Sequence, residues 1–183
     1  MLAQVQRQHT WALRAAICLA FATWTSVLPL RVAAQETEPS AVSDVVKRVV
    51  LDPTTYTPAV IAYYATVRDW QTSQPFFARG ATEMNARFTA SGRPNDTPVS
   101  YAEGNRRIVR DALLNLEVSV ASNVAGQVVE RMLVNRYPNH RKLVRTLGWI
   151  QRISLSSYLS YQLSIQHFRQ TQLNEQLALK YGF

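Results

Sequence analysis

The chain has 183 residues, one cysteine, and 20 Lys and Arg against 12 Asp and Glu, for a formal charge of +8. That length fits one domain. A single cysteine excludes an intrachain disulfide framework and a thiolate metal site.

Residues 1–34 read as a secretory signal peptide. Arg7 and Arg14 occur in a first segment without acids, residues 15–30 are apolar apart from a few Thr and Ser, and Val32-Ala33-Ala34 offers small residues for cleavage. An uncleaved anchor is the rival reading. Cys18 lies inside the apolar run, and Ile17 before it is too large for a lipoprotein site. Processing before Gln35 removes Arg7, Arg14 and Arg31 and no acid, which lowers the formal charge from +8 to +5. A basic protein outside the cytoplasm meets anionic lipid or acidic polymer rather than nucleic acid.

Residues 35–57 read as a tether and a short helix. Within them, residues 43–51 form a short amphipathic segment with Val45, Val46, Val49 and Val50 on its apolar side, ended by Asp52-Pro53. Residues 58–183 read as one helical domain. Thr57-Pro58 supplies a cap and a first-turn proline for a helix over 58–73. Pro75 kinks or breaks that helix, and a second runs over 75–90 with Gly92 as its stop. Residues 92–99 are the clearest loop.

A long helix over 101–136 follows. Ser100 and Glu103 have capping-box spacing, in which each side chain satisfies an orphan N–H near the other. No proline intervenes until Pro138. Asn139 is positioned to cap a last helix over 139–180. So short a connection predicts an antiparallel helix hairpin. Asn115, Ser119, Ser122 and Gly126 form one stripe of small or polar residues, and Ser157, Ser160 and Ser164 another. With Gly126 and Gly148 on either side of the turn, the stripes predict close backbone approach. The fold class is therefore all-α: a signal peptide, then a small helical bundle built on the hairpin. The alternation of Leu177, Leu179, Tyr181 and Phe183 also suits an outer-membrane barrel strand. The long runs without turn residues favour helices.

None of the uncharged stretches 54–67, 118–129 and 153–166 reaches the about 20 residues of a spanning helix. Positive residues lie both at Arg79, Arg87, Arg93, Arg106 and Arg107 and around the second turn, so charge bias sets no orientation.

Asp69-Trp70-Gln71-Thr72-Ser73, Gly80 and Glu83-Met84-Asn85 resemble a group of small bacterial helical membrane or exported proteins whose activity is uncharacterised. That group carries Asp with nearby Thr or Ser in a first helix, then Gly-x-x-Glu-x-Asn-Pro. Arg136-Tyr137-Pro138, Leu147-Gly148-Trp149 and His167-Phe168 extend the likeness. It departs at Ala86, where the group has proline. The resemblance implies a helical membrane protein and supplies no activity.

Two candidate sites stand out. Asp69, Thr72, Glu83 and Asn85 would form a small polar site if the chain folds back at Pro75, for a cation or for acid–base work. The competing reading pairs the two carboxylates with Arg68, Arg79 or Arg87 on a solvated face. Arg136, Arg141, Lys142 and Arg145, with Tyr137 and Trp149 nearby, suit contact with lipid headgroups. His140 and His167 stand about 40 Å apart along one helix and cannot share a metal. No zinc, calcium, nucleophile-elbow or phosphate-loop motif occurs, so no cofactor or metal is expected. The expectation is a non-catalytic, exported protein of a bacterial envelope, in the periplasm or at the inner membrane, whose partners are membrane lipid or an envelope protein. The alternative is a soluble periplasmic bundle that binds a ligand or partner. An enzyme using Asp69 and Glu83 is the remote third.

Overall fold

The computed structural model describes residues 41–182. The signal over 1–34 and the tether at 35–40 lie outside the described residues. Among those described there are four α-helices and no strand: α1 (Ala41–Leu51), α2 (Thr57–Phe77), α3 (Tyr101–Arg136) and α4 (Arg141–Tyr181). The described chain is all-α.

Helix α1 buries Val45 and Val49 but exposes Val46 and Val50, so its apolar side is narrower than the valine run suggests. Asp52 ends it. The Asp52 carboxylate accepts hydrogen bonds from the Thr54 N–H (3.0 Å) and hydroxyl (2.7 Å), and a 3-10 turn over Pro53–Thr55 follows. Helix α2 opens with Pro58 in its first turn, where no N–H is missed. Its cap position is Tyr56, without a side-chain bond, because the Thr57 hydroxyl donates to the Pro53 carbonyl instead.

The expected break at Pro75 and the helix over 75–90 do not occur. Helix α2 runs through Pro75 to Phe77, with the proline in its last turn and the Arg79 guanidinium donating to the Pro75 carbonyl at 3.0 Å. Gly80 then takes a left-handed φ of 86°, which glycine adopts without strain and which stops a helix. Beyond it, Asn85 accepts a bond from the Arg87 N–H and holds a 3-10 turn over Ala86–Phe88. Isolated bridges join Glu83 to Asp96 and Thr89 to Pro98. The segment is a pinned loop because its own polar side chains bind its backbone.

At the start of α3, Ser100 Oγ accepts the Glu103 N–H at 3.2 Å. Only this half of the capping box forms, since the Glu103 carboxylate pairs with Arg106 and Arg107. Pro138–His140 make a 3-10 turn after α3, with Asn139 inside it. His140, not Asn139, therefore stands at the cap of α4, and it makes no side-chain cap bond.

The apolar core is small: Trp70, Phe88 and Ile108, with Val67, Phe77 and Val99 packed around them. Trp70 lies 5.3 Å from the Phe88 ring and 5.6 Å from Phe77. Phe88 thus anchors the loop between α2 and α3. Gly104 makes room for the indole, since a Cβ there would stand 2.3 Å from it. Gly148 of α4 meets α3 as closely, a Cβ on it falling 2.5 Å from the Glu130 carboxylate. The expected stripes are shifted. On α3 the buried set is Ser119, Asn123, Gln127 and Glu130, and on α4 Ser156 is buried beside Ser160 and Ser164 while Ser157 is exposed.

Candidate functional site

Asp69 of α2 reaches across to His167 of α4, with Oδ2 2.8 Å from Nδ1. Glu83, in the pinned loop, is half-buried and its Oε1 accepts the Asn85 N–H at 2.6 Å. Burial pushes the Glu83 carboxyl above its ordinary value, the Asn85 bond opposes this, and the nearby charge of Asp69 adds to it. The chain comes back toward α2 through Gly80 rather than Pro75, and the Asp69 side chain is taken by His167 while Glu83 is held by the Asn85 N–H. Thr72 and Asn85 are occupied elsewhere. The Thr72 hydroxyl donates to the Asp69 carbonyl and accepts from the Asn174 amide at 3.2 Å, which ties α2 to α4. The Asn85 side chain holds the Arg87 turn.

Three further groups complete the cluster. Arg87 pairs with Asp111 of α3, and burial holds the Asp111 carboxyl above its ordinary range despite that partner. His167 reads as an ordinary helix residue in the sequence. No local spacing singles it out: its partner Asp69, like the Thr72 and Ser73 partners of Asn174, lies about 100 residues away on the facing helix. A cavity of about 170 Å³ adjoins the cluster, with Thr66, Asn85, Arg87, Asp111, Asn115 and His167 on its walls. The arrangement can hold or pass a proton and can hydrogen-bond a small polar ligand. No group of three His, Cys, Asp or Glu stands in position to hold a metal among the described residues.

Around the turn after α1 the surface that α3 and α4 bury is polar. Arg152 of α4 is 8% exposed and pairs with Glu130 of α3 (2.7 Å, 7% exposed) and with Asp52 (2.9 Å, 12% exposed). Asn123 donates to the Thr54 and Thr55 hydroxyls at 3.1 and 2.7 Å. The Ser160 and Ser164 hydroxyls bond back to carbonyls of their own helix, so they pack as short, self-satisfied groups.

The outer surface is the reverse. Leu113, Leu114, Val118, Val120, Val124 and Val128 of α3 are exposed, as are Val60, Tyr63 and Tyr64 of α2 and Trp149, Ile150, Tyr158 and Tyr161 of α4. Helix α3 is long and apolar enough to cross a membrane by length and composition. Between Arg145 and Arg169, α4 carries one formal charge, the buried and paired Arg152. Glu117 is exposed on the outer side of α3. A charged residue costs about 2.5–3.5 kcal/mol on insertion scales, and each central aliphatic returns about 0.3–0.6. The six exposed aliphatics of α3 therefore roughly offset Glu117.

The predicted headgroup contacts separate into two pairs. Arg141 and Arg145 line a groove of about 550 Å³ with Arg48 of α1 and Arg131 of α3. Arg136 and Lys142 are exposed and lie outside that lining.

No protein-family model, curated protein or solved structure matches the chain.

Proposed function

We propose that the protein is an exported, non-catalytic component of a bacterial envelope, seated at the inner membrane by the apolar exterior of its bundle, with a structural or interaction role. In this reading α3 and α4 are the two arms of an antiparallel hairpin that doubles back at Tyr137-Pro138-Asn139, and residues 1–34 direct export. One observation carries the reading: outside the small core around Trp70, the polarity of the middle of α3 and α4 is inverted. Water-soluble bundles bury their aliphatics and expose their polar groups. Here serines, an asparagine, a glutamine and an Arg–carboxylate cluster face inward while valines, leucines and aromatics face outward. Lipid removes the hydrophobic drive between helices, so small residues and internal hydrogen bonds hold such interfaces together. Ionisable groups in that setting turn inward and pair, as Arg152, Glu130 and Asp52 do.

Fractionation of cells expressing the full chain, with N-terminal sequencing, tests this. The expected result is a membrane pellet that resists high salt and alkaline carbonate, with a processed start near Gln35. Release into the soluble fraction would overturn the membrane seat. It would favour the second reading, a periplasmic bundle that binds a ligand or partner beside Asp69 and Glu83, for which the Asp69–His167 contact and the adjoining cavity speak.

A further inference from the structure

We infer that the groove between α1, the end of α3 and the start of α4 binds the phosphate of an anionic lipid headgroup. The inference rests on the membrane reading above and gives it a ligand. Arg48, Arg131, Arg141 and Arg145 converge there from three helices. Two carboxylates share the lining, Asp44 and Glu130. Both are already engaged. Asp44 accepts from Arg48 at 3.1 Å and from Arg131 at 3.4 Å, and Glu130 is held by the buried Arg152. With Arg48 and Arg131 drawn to Asp44, the excess positive charge of the groove lies on Arg141 and Arg145, whose planar donor forks match phosphate oxygens.

Two more features favour an anion. Helix α4 begins at Arg141 in the groove wall; its first N–H is taken by the Pro138 carbonyl, and its dipole still sets the positive end toward the groove. The volume, about 550 Å³, lies within the range of small-ligand sites, about 300–1,000 Å³. A free phosphate metabolite would satisfy the same charge. The surroundings select a lipid: Met132, Leu133, Leu143, Leu147 and Trp149 are exposed on the same segments of α3 and α4, where acyl chains would lie beside a headgroup in the groove.

The test uses the purified full chain and vesicles of phosphatidylcholine with or without phosphatidylglycerol. It compares the paired variant Arg141→Gln/Arg145→Gln with the charge-matched Arg93→Gln/Lys180→Gln, all four residues being exposed. Each near-surface arginine contributes about 5-fold to binding of anionic membrane, so the groove pair is expected to lose roughly 30-fold of the preference for phosphatidylglycerol. The control pair is expected to keep that preference. Equal losses in both pairs, or none in the groove pair, would overturn the site while retention on phosphatidylcholine left the membrane seat standing. Competition by free glycerol phosphate against vesicles would overturn the lipid assignment in favour of a soluble phosphate. Failure of the wild type to bind either vesicle would overturn the membrane reading and this inference with it.

Discussion

Replacing Arg152 by Met removes one guanidinium and leaves two carboxylates, Glu130 and Asp52, buried without a counter-charge. Removing one partner from a buried pair costs about 3–5 kcal/mol, most of it the stranded charge. With two stranded carboxylates, a loss of about 4 kcal/mol is the lower working figure. Against a typical total of about 5–15 kcal/mol that is a large fraction, and at about 3 °C per kcal/mol it lowers the melting temperature by roughly 12 °C. The assay is thermal unfolding followed by circular dichroism, in a mild detergent or lipid disc. The informative control is the triple variant Arg152→Met, Glu130→Gln, Asp52→Asn. It strands no charge, and the amide oxygen introduced in place of the Asp52 carboxylate can still cap the following turn. It should recover at least half of the loss. A single variant within about 1 kcal/mol of wild type, or a triple variant worse than the single, would refute the claim that this cluster is a paired, desolvated unit.

The other predictions are simpler. Gly104→Ala drives a Cβ into the buried Trp70 indole and should destabilise by about 1–3 kcal/mol. Gly126→Ala meets its neighbours at 3.4 Å or more and should be neutral or gain up to about 1 kcal/mol from reduced backbone entropy; denaturant midpoints compare the two. Asn123→Ala removes both bonds to Thr54 and Thr55 and should cost about 1–3 kcal/mol, with faster amide exchange at the α1–α2 junction. The Glu83 carboxyl sits above its ordinary value of 4.5, so the folded chain holds that proton more tightly than the unfolded chain. Its contribution is present below the ordinary value and is lost as pH rises through the raised one. Glu83→Gln should flatten the fall in melting temperature as pH rises above about 4.5; an unchanged profile would remove Glu83 as its source.

Much of the helical framework is legible in the sequence because local chemistry writes it. Asp52-Pro53, Ser100 with its N–H partner, and the proline-free run to Pro138 mark ends that form where the spacing puts them. The departures share a cause. Pro75 reads as a break, and the helix does end two residues later, so the proline displaces the boundary instead of setting it. The first part of the loop over 83–98 reads as helix because its fixing contacts are distant in sequence: Glu83 bonds to Asp96, and Phe88 sits on Trp70. Asp69 stands out in the sequence as a candidate, whereas His167, Asp111 and Arg152 gain their meaning only from partners 22 to 100 residues away. The polarity inversion is half visible as a serine stripe. Which side of the stripe faces inward depends on packing, and it falls one residue from the expected register at Asn123 and Ser156.

The most direct measurement is the environment of the outer face in lipid. Spin labels on single cysteines replacing Val118, half exposed on α3, and Ser160, buried on α4, would be compared in vesicles by their collisions with oxygen and with a water-soluble relaxant. The account predicts that the Val118 label meets oxygen freely and the aqueous reagent hardly at all, while the Ser160 label is shielded from both. A Val118 label bathed by the aqueous reagent would contradict it.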